Sequence, residues 1–448
     1  MESAEDALPI PEMNHQKKEV NAMLPTDIRY QNYIQVLREE LVPAMGCTEP
    51  IAIAYGAAKA REVLGCLPET VLVEASGNII KNVKSVVVPN TGGLHGIEAA
   101  AAAGIVAGAA DKKLEVIAQV TDQDKKAIRD YLGNHEIKVL PAQGDIIFDI
   151  ILTLQGGGST VKLRIMDFHT NIVYIEKDGK VLLDAGRASS GSTTPLTDRA
   201  FMNLRDILEF AETMNVDDVR EMVERQIQYN YAIAEAGIKE NWGANVGSVL
   251  LDDDDQSIKV RARAMAAAGS DARMSGCELP VIIASGSGNQ GITASVPVIT
   301  YAKALGVDHD TMVRAVTFSD LLTIHLKTGI GRLSAYCGVA SAGSAAGAAI
   351  CWLQGGDYEV ISHCLINSLA TISGMVCDGA KPSCASKIAT AVESGILGCQ
   401  MARKGQFLRD GDGLIGDGVE NTIRNIGRLG HDGMKETDKE IIRIMTGT

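Results

Sequence analysis

Residues 334–353, SAYCGVASAGSAAGAAICWL, decide the fold of this chain. The 20 residues carry no charge, and their length would suit a membrane span. Ala, Gly and Ser dominate the stretch, however, and these residues insert only weakly into lipid. We therefore predict a helix buried in a soluble core, in which Gly343 and Gly347 let a neighbouring helix pack closely.

Two patterns divide the rest of the chain. Between residues 70 and 185, short β-branched runs predict strands, an Ala-rich helix is expected at about 96–110, and Asp178-Gly179 marks a hairpin turn. After residue 197 strand signals nearly vanish. We predict an α+β fold: an N-terminal α/β portion with a mixed sheet, followed by an Ala/Gly-rich all-helical catalytic portion. The expected strands are 70–75, 83–89, 114–120, 136–140, 146–154, 161–166, 169–176 and 180–184. The expected helices are 198–214, 217–237, 257–269, 293–305, 309–327, 334–353, 358–373 and 386–403.

Composition limits the partners of the chain. Its 448 residues carry 42 Lys and Arg against 56 Asp and Glu, a formal net charge of −14. This charge argues against nucleic-acid and anionic-membrane partners, which need basic surfaces. Residues 1–26 lack the pattern of a secretory signal, so the nine cysteines are expected to be reduced and mostly buried. We expect a cytoplasmic protein with a small-molecule substrate, and leave a homodimer open.

Three cysteines are candidate metal ligands. Cys377 and Cys384 lie seven residues apart in a Gly/Pro loop before a predicted helix, where a thiolate is favoured. Cys337 is a third candidate. Three thiolates on a four-iron cluster would leave one iron open as a Lewis acid. No C-x-x-C spacing is present, so three ordinary buried cysteines are the alternative.

A fourth cysteine lies at a predicted helix start, in Met45-Gly-Cys-Thr-Glu-Pro50. Pro50 suits the first helical turn, with Thr48 and Glu49 as capping candidates. The pKa of Cys47 should fall at this position, so the thiol could act as a base, a nucleophile or a cluster ligand. The alternative is an ordinary small cap residue.

Two Gly-rich turns, residues 88–93 and 284–291, follow apolar runs. Exposed backbone N–H groups and polar side chains in such turns can hold a carboxylate or a phosphate. Lys and Arg are sparse around both turns, which favours a carboxylate. Their candidate side chains are Asn90, Thr91, Ser285, Ser287, Asn289 and Gln290.

Several charged residues are secondary candidates. Arg273 could pair with a substrate carboxylate or only with Asp271, and Lys381 lies between the two loop cysteines. His95 precedes a helix and could merely cap it. Lys259, with Asn289 30 residues later, resembles the Schiff-base lysine and phosphate loop of PLP-dependent dehydratases, but the Gly tetrad and the βα units of that family are absent.

In combination and in order, six segments resemble the L-cysteine desulfidase family, which is related to the α-chain of iron–sulfur L-serine dehydratases. The resemblance runs from about residue 30 to about residue 430. The segments are Gly46-Cys-Thr-Glu-Pro50, Pro89-Asn-Thr-Gly-Gly93, Asp271-Ala-Arg-Met-Ser-Gly276, Ser285-Gly-Ser-Gly-Asn-Gln-Gly291, Tyr336-Cys-Gly338 and Cys377-Asp-Gly-Ala-Lys-Pro-Ser-Cys384.

The resemblance implies a 4Fe-4S cluster held by Cys337, Cys377 and Cys384, with Cys47 near the open iron. It also implies conversion of L-cysteine and water to pyruvate, ammonia and hydrogen sulfide. In the serine dehydratases a C-terminal cysteine can reach the resting cluster. This chain ends Met445-Thr-Gly-Thr448 and departs from that arrangement.

The expected organisation is a flexible tail over residues 1–26, an α+β domain over 27–195 with the Cys47 and Asn90 motifs, and a helical serine-dehydratase-α-like domain over 196–448. We expect Cys47 and Glu49 to be catalytic. The alternatives are an L-serine dehydratase-type deaminase and a non-catalytic small-molecule-binding relative. Thr48, Asn90, Thr91, Arg273, Ser285, Ser287, Asn289, Gln290 and Lys381 are expected to bind the substrate.

Overall fold

The computed structural model describes residues 22–144, 146–185, 196–331 and 333–446. Most of the tail predicted over residues 1–26, and the domain boundary predicted at residue 195, lie outside these ranges. The helices are α1 (Ile28–Glu40), α2 (Thr48–Leu64), α3 (Gly77–Val83), α4 (Gly96–Ala107), α5 (Asp122–Asn134), α6 (Leu204–Thr213), α7 (Arg220–Lys239), α8 (Val246–Asp253), α9 (Ile258–Met274), α10 (Gly288–Leu305), α11 (His309–Thr328), α12 (Gly338–Leu353), α13 (Tyr358–Ile372), α14 (Cys384–Arg403), α15 (Val419–Arg428) and α16 (Lys435–Thr446). The strands are β1 (Pro43–Met45), β2 (Thr70–Ala75), β3 (Ile137–Pro141), β4 (Asp149–Gly156), β5 (Ser159–Met166), β6 (Ile172–Lys177), β7 (Lys180–Asp184) and β8 (Pro280–Ile282).

Six strands form one mixed sheet in the order β3-β2-β4-β5-β6-β7. Only β2 and β3 run parallel within it, and the remaining neighbours are antiparallel. Ile150, Leu152 and Leu154 alternate along β4 and are fully buried, because every second side chain points to the same face. Helix α2 covers that face, and Gly56 leaves room for Leu152, whose Cδ1 would lie 2.5 Å from an added Cβ. The predicted α+β class is confirmed.

Two predicted strands are wrong. Residues 83–89 contain the end of α3 and an irregular segment with a single bridge between Val87 and His95. Residues 114–120 form the end of a 3₁₀ turn and further turns. Val88 and Ile117 are nevertheless fully buried. A short apolar run can be buried in the core either as a strand or as an irregular segment. The apolar pattern of these residues therefore did not distinguish the two.

Helix α12 is the centre of the helical region and packs against α10, α11, α13 and α14. A Cβ on Gly343 would lie 2.5 Å from the backbone of Ala391, and one on Gly347 would lie 2.4 Å from the backbone of Gly395. The predicted close approach is therefore confirmed, and its partner is α14. Both contacts join residues 48 positions apart, so α12 and α14 run parallel and in register.

The N-terminal segment joins the helical region as well as the sheet. Tyr30 and Tyr33 of α1 pack against Phe210 of α6, with ring centroids 5.1 Å apart in each pair. Strand β1 pairs antiparallel with β8, and Ala44 lies opposite Val281. The chain thus contributes α1 and β1 to the larger helical core before α2 crosses to the sheet.

Within the described ranges, no helix is long and apolar enough to cross a membrane. This holds for α12, whose uncharged sequence had the length of a span. Every side chain of this helix from Val339 to Cys351 is buried.

The glycine contact between α12 and α14 gives the first prediction. Gly347→Val should lower the free energy of unfolding by about 2 kcal/mol or more, because the added side chain meets backbone that cannot rotate away. Urea unfolding followed by circular dichroism measures the change. Gly133→Ala in α5 is the matched control, since nothing lies within 4 Å of its added Cβ, and it should be neutral or stabilising. An equal response of both variants would contradict this account of the packing.

Candidate active site

A cavity of about 100 Å³ lies where the helical core meets α2, α3 and one end of the sheet. Most of its lining is buried, and the N-terminal ends of α2, α10, α12 and α14 all contribute to it. Helix N-termini favour negative charge, so this arrangement suits anionic groups. The lining residues are Cys47, Glu49, Asn78, Lys81, Asn82, Phe148, His169, Arg273, Ser285, Gly286, Ser287, Asn289, Gln290, Lys327, Leu333, Ser334, Tyr336, Cys337, Gly338, Val339, Cys377, Gly379, Ala380 and Cys384.

The pairing of β1 with β8 brings two distant motifs together. The residues after β1 begin α2 at Cys47, and those after β8 form the Ser285 loop that begins α10. The Thr48 hydroxyl oxygen lies 3.1 Å from the carbonyl oxygen of Gly286 and links the two motifs directly. Gly46 has φ +58°, and an added Cβ would lie 2.2 Å from Pro89, so the segment tolerates no larger residue.

Cys337 and Cys377 are brought together by backbone pairing of their loops. Tyr336 forms an isolated antiparallel bridge with Val376, the Cys337 amide donates to Met375 O at 3.0 Å, and the Cys377 amide donates to Ala335 O at 2.6 Å. This pairing sets the two thiols beside each other, and their interaction is the largest influence on the pKa of each.

Cys384 reaches the same cavity through helix packing. It is the first residue of α14, and Cys337 is the N-cap of α12 rather than a residue inside that helix as predicted. Because α12 and α14 run parallel and in register, their N-termini lie side by side. All three predicted ligand cysteines therefore line one cavity.

The electrostatic surroundings of the three thiols favour one thiolate. The hydrogen bond with Cys337 and the charges of Lys81 and Lys327 lower the pKa of Cys377. Burial raises the pKa of Cys384, and the same hydrogen bond raises that of Cys337. No group of three or more His, Cys, Asp or Glu among the described residues is arranged to hold a single metal ion.

Cys47 and Glu49 form a buried pair at the start of α2. The Cys47 thiol donates to Glu49 Oε2 at 3.0 Å, and the Asn82 amide donates to Glu49 Oε1 at 3.0 Å. Burial, followed by the charge of Glu49, raises the pKa of Cys47 well above its ordinary value. The expectation that the helix N-terminus lowers this pKa is wrong, because desolvation and a neighbouring carboxylate outweigh the helix dipole. Cys47 makes no side-chain capping bond, although it occupies the N-cap.

The Gly-rich loop before α10 also lines the cavity. Ser285, Ser287, Asn289 and Gln290 all line the cavity. Arg273 Nη1 donates to Asn289 Oδ1 at 3.0 Å, and Gly288 leaves room for that guanidinium, whose Nε would lie 2.3 Å from an added Cβ. Burial lowers the pKa of Arg273 from its ordinary value.

Asp271 faces away from Arg273. Its carboxylate accepts hydrogen bonds from the backbone amides of Ala244 and Val246 at 3.2 and 2.7 Å. These bonds satisfy amide groups at the start of α8. Asp271 is therefore not the partner of Arg273, and a substrate carboxylate in the cavity is the remaining candidate of the two.

Other predicted residues lie outside the cavity lining. Asn90 donates to Ile117 O at 2.8 Å, and Thr91 closes its own turn by donating to Val88 O at 2.6 Å. Lys381 pairs with Asp378 at 2.6 Å, within the loop that carries the two cysteines.

The two remaining candidates from the sequence, His95 and Lys259, do not line the cavity. His95 is the exposed N-cap of α4 and makes no side-chain capping bond. Lys259 pairs with Glu393 at 2.5 Å between α9 and α14 and does not line the cavity, which a Schiff-base lysine would have to reach.

Sequence reasoning missed the contribution of α3. Asn78, Lys81 and Asn82 line the cavity, and Lys81 pairs with Asp438 of α16 at 2.5 Å. The spacing i, i+3, i+4 of these polar residues is typical of one helix face and could have revealed them. The helix was not predicted, because the apolar run that follows it at residues 83–89 was interpreted as a strand.

Lys327, Phe148 and His169 were also missed. They reach the cavity from the end of α11, from the residue before β4 and from the β5–β6 connection. No local motif surrounds them, so only the folded chain reveals their position.

Comparisons with known proteins identify the family of the chain. The model of the serine dehydratase alpha chain family matches residues 111–443. A UPF0597 protein of Desulfitobacterium hafniense is 60% identical over 419 residues, which cover 94% of this chain and 97% of that protein. UPF0597 proteins of Treponema denticola and Lachnoclostridium phytofermentans are 45% and 48% identical, over 93% of this chain and 98% and 99% of theirs. Since the family match spans most of its length, this chain belongs to the serine dehydratase alpha chain family.

Proposed function

We propose that the protein is a cytoplasmic lyase that eliminates the β-substituent of a small L-amino acid, with L-cysteine as the preferred substrate. The observation that carries this proposal is the single cavity in which the Cys47–Glu49 pair faces three further cysteines and the Ser285–Gln290 loop. The products from L-cysteine are pyruvate, ammonia and hydrogen sulfide.

The size and lining of the cavity support a small, polar, anionic substrate. Its volume of about 100 Å³ is well below the roughly 300–1,000 Å³ of pockets for drug-sized ligands. Arg273 and Asn289 would hold the substrate carboxylate, with Ser285 and Ser287 beside them, because the guanidinium supplies charge and the amide a neutral donor.

The donor set also suits a 4Fe-4S cluster. Three thiols line the cavity, and thiolates are the usual ligands of such clusters. The cluster offers separate irons, so its ligands need not converge on one point as those of a single ion do. Cys337, Cys377 and Cys384 would hold it, and the nearby Lys81 and Lys327 would balance the negative charge. When bound, the cluster supplies an open iron that acts as a Lewis acid on the leaving group.

The Cys47–Glu49 pair provides the acid–base chemistry. Glu49 can accept the Cys47 proton along their 3.0 Å hydrogen bond, which leaves a thiolate. The transfer is uphill, because the pKa of Cys47 lies well above and that of Glu49 lies below its ordinary value, so the thiolate forms only transiently during the reaction. The thiolate takes the proton from Cα, and the C–H electron pair forms the Cα=Cβ double bond. The Cβ–S bond breaks with its electrons on sulfur, which receives the proton held by Glu49. Both residues return to their starting states, and the released aminoacrylate tautomerises and hydrolyses in water.

L-Serine is the second candidate substrate, and the family match favours it. The same elimination would release water instead of hydrogen sulfide. A soft sulfur leaving group suits iron better than a hydroxyl group, which is the reason for preferring cysteine.

The cluster assignment predicts the behaviour of single cysteine variants. Cys337→Ala, Cys377→Ala and Cys384→Ala should each lose iron and activity when purified without oxygen. Cys351→Ala and Cys399→Ala should keep both, because those cysteines lie in the core away from the cavity. Iron analysis and the absorption spectrum measure the outcome. A full iron content in the first three variants would disprove the ligand assignment, and a colourless wild-type protein would favour a non-catalytic binding role.

The acid–base assignment predicts a separate phenotype. Cys47→Ser should keep the iron content but lower turnover on the order of 10²-fold or more, since an alkoxide is far less accessible than a thiolate. Exchange of the substrate α-proton with deuterated solvent, followed by NMR, tests the step directly. Unchanged exchange in this variant would rule out Cys47 as the base.

The substrate prediction is decided by one comparison. Pyruvate formation from L-cysteine should exceed that from L-serine on the same anaerobic preparation, and activity should decay in air. Faster turnover of serine would assign the protein to the dehydratase branch. A preparation with full iron content that forms no product from either substrate would disprove the lyase proposal.

A further inference from the structure

Two carboxamides on helix α3 line the cavity and have no role in the reaction proposed above. Asn78 and Asn82 lie four residues apart, so their side chains share one face of the helix. They are 8% and 7% exposed, and both belong to the cavity lining. A polar group buried in this way needs hydrogen-bond partners for its donors and its acceptor.

The nitrogen of each carboxamide is bound to a carboxylate. Asn78 Nδ2 donates to Asp438 Oδ2 at 2.8 Å. Asn82 Nδ2 donates to Glu49 Oε1 at 3.0 Å. Because an ionised carboxylate only accepts hydrogen bonds, the nitrogen of each amide must face it, and this fixes the orientation of both amides. Each carbonyl oxygen therefore lies on the side of the amide away from its carboxylate.

Both carbonyl oxygens lack a donor. Asn78 Oδ1 and Asn82 Oδ1 are buried and have no hydrogen-bond partner among the described residues. An acceptor left in this state is costly, and a bound molecule that supplies the donor removes the cost. Since two separate oxygens on neighbouring helical turns have to be satisfied, the matching group is one with several N–H bonds.

Arg273 supplies the opposite polarity. Its Nε is a buried donor that has no partner within the described ranges, and its guanidinium is the group proposed for the substrate carboxylate. The cavity lining thus offers unpartnered acceptors on α3 and an unpartnered donor on α9. The zwitterion of an α-amino acid carries an ammonium group that donates and a carboxylate that accepts, so it matches both sets.

The charges around α3 are compatible with a bound cation. Lys81 lies between the two asparagines in sequence and would repel a second ammonium group. Its own ammonium group is paired at 2.5 Å with Asp438, the carboxylate that orients Asn78. Glu49, which orients Asn82, adds a further negative charge. The acceptors are therefore accompanied by the negative charge that an ammonium group requires.

We propose that Asn78 Oδ1 and Asn82 Oδ1 bind the α-ammonium group of the substrate and so restrict the site to α-amino acids. This inference deepens the proposed function and rests on it for the nature of the ligand. Asp438 and Glu49 orient the two amides. A carboxylic acid of similar size without the ammonium group leaves both oxygens unsatisfied, so the site should discriminate against it.

Equilibrium binding of two ligands that cannot undergo elimination tests the proposal. L-Alanine and propionate share a carboxylate and a methyl group, and they differ only in the ammonium group. Their dissociation constants are measured by isothermal titration calorimetry on protein purified without oxygen. The constant for L-alanine should be about 100-fold lower, because each of the two hydrogen bonds from a charged donor contributes about tenfold.

Leucine substitution removes one acceptor at a time at nearly constant volume. In Asn78→Leu and in Asn82→Leu the preference for L-alanine should fall about tenfold, while the dissociation constant of propionate stays within about twofold of the wild-type value. Propionate binding thus reports that the site is intact. Asn134→Leu, at the exposed end of α5 and outside the cavity lining, is the matched control and should keep the wild-type preference. If a leucine variant does not fold, Asn78→Ala or Asn82→Ala takes its place in the same comparison.

An unchanged preference in either asparagine variant would overturn the proposal and assign that oxygen to water alone. A wild-type protein that binds neither ligand, or binds both equally, would overturn it as well. Because these measurements need no turnover, they separate this proposal from the proposed function. A preference that depends on both asparagines in a protein without lyase activity would uphold the ammonium site and reject only the reaction. A lyase whose preference is independent of them would uphold the reaction and reject the ammonium site.

Discussion

The parallel, in-register packing of α12 against α14 is the constraint on which the site depends. Gly343 and Gly347 let the two backbones approach to a distance that any side chain would prevent. Because the helices run in the same direction, their first residues lie at the same end of the core. That end carries Cys337 and Cys384, which are far apart in sequence but line one cavity. Close helix packing thus serves the chemistry as well as stability.

The cavity combines buried charges of both signs in a small space. Lys81, Arg273 and Lys327 lie within its lining and are at most 5% exposed, and the N-terminal ends of four helices contribute to it. Fixed positive charge of this kind stabilises thiolates and carboxylates, and burial strengthens each interaction because little water screens it. The same burial makes every unpaired charge costly. This explains why Lys81 is tied to Asp438 and why Glu49 accepts from the Cys47 thiol and the Asn82 amide.

Local pattern predicted the elements that have strong periodicity or clear end signals. The Asp178-Gly179 turn, the alternating strands around it and most helices after residue 204 agree with the structure. Short or highly charged helices were not predicted from the sequence. Helix α3 has only seven residues, and α5 is highly charged, although its capping box between Thr121 and Asp124 was a readable signal. The pKa of Cys47 could not be predicted locally, since it depends on burial by residues distant in sequence.

The sequence alone determined the α+β class, the small-residue helical core, and the chemical groups available to the site. Thiols, Gly-rich turns and helix starts can be read from local order, because turn geometry and helix capping involve only a few neighbouring residues. The tertiary structure decided which of these groups meet. It selected the Ser285 loop for the cavity and placed Asn90, Thr91 and Lys381 in supporting turns, and it added Lys81, Lys327 and His169. The pairing of β1 with β8 joins residues more than 200 positions apart, and the packing of α12 on α14 joins residues 48 positions apart. No local sequence pattern encodes either contact.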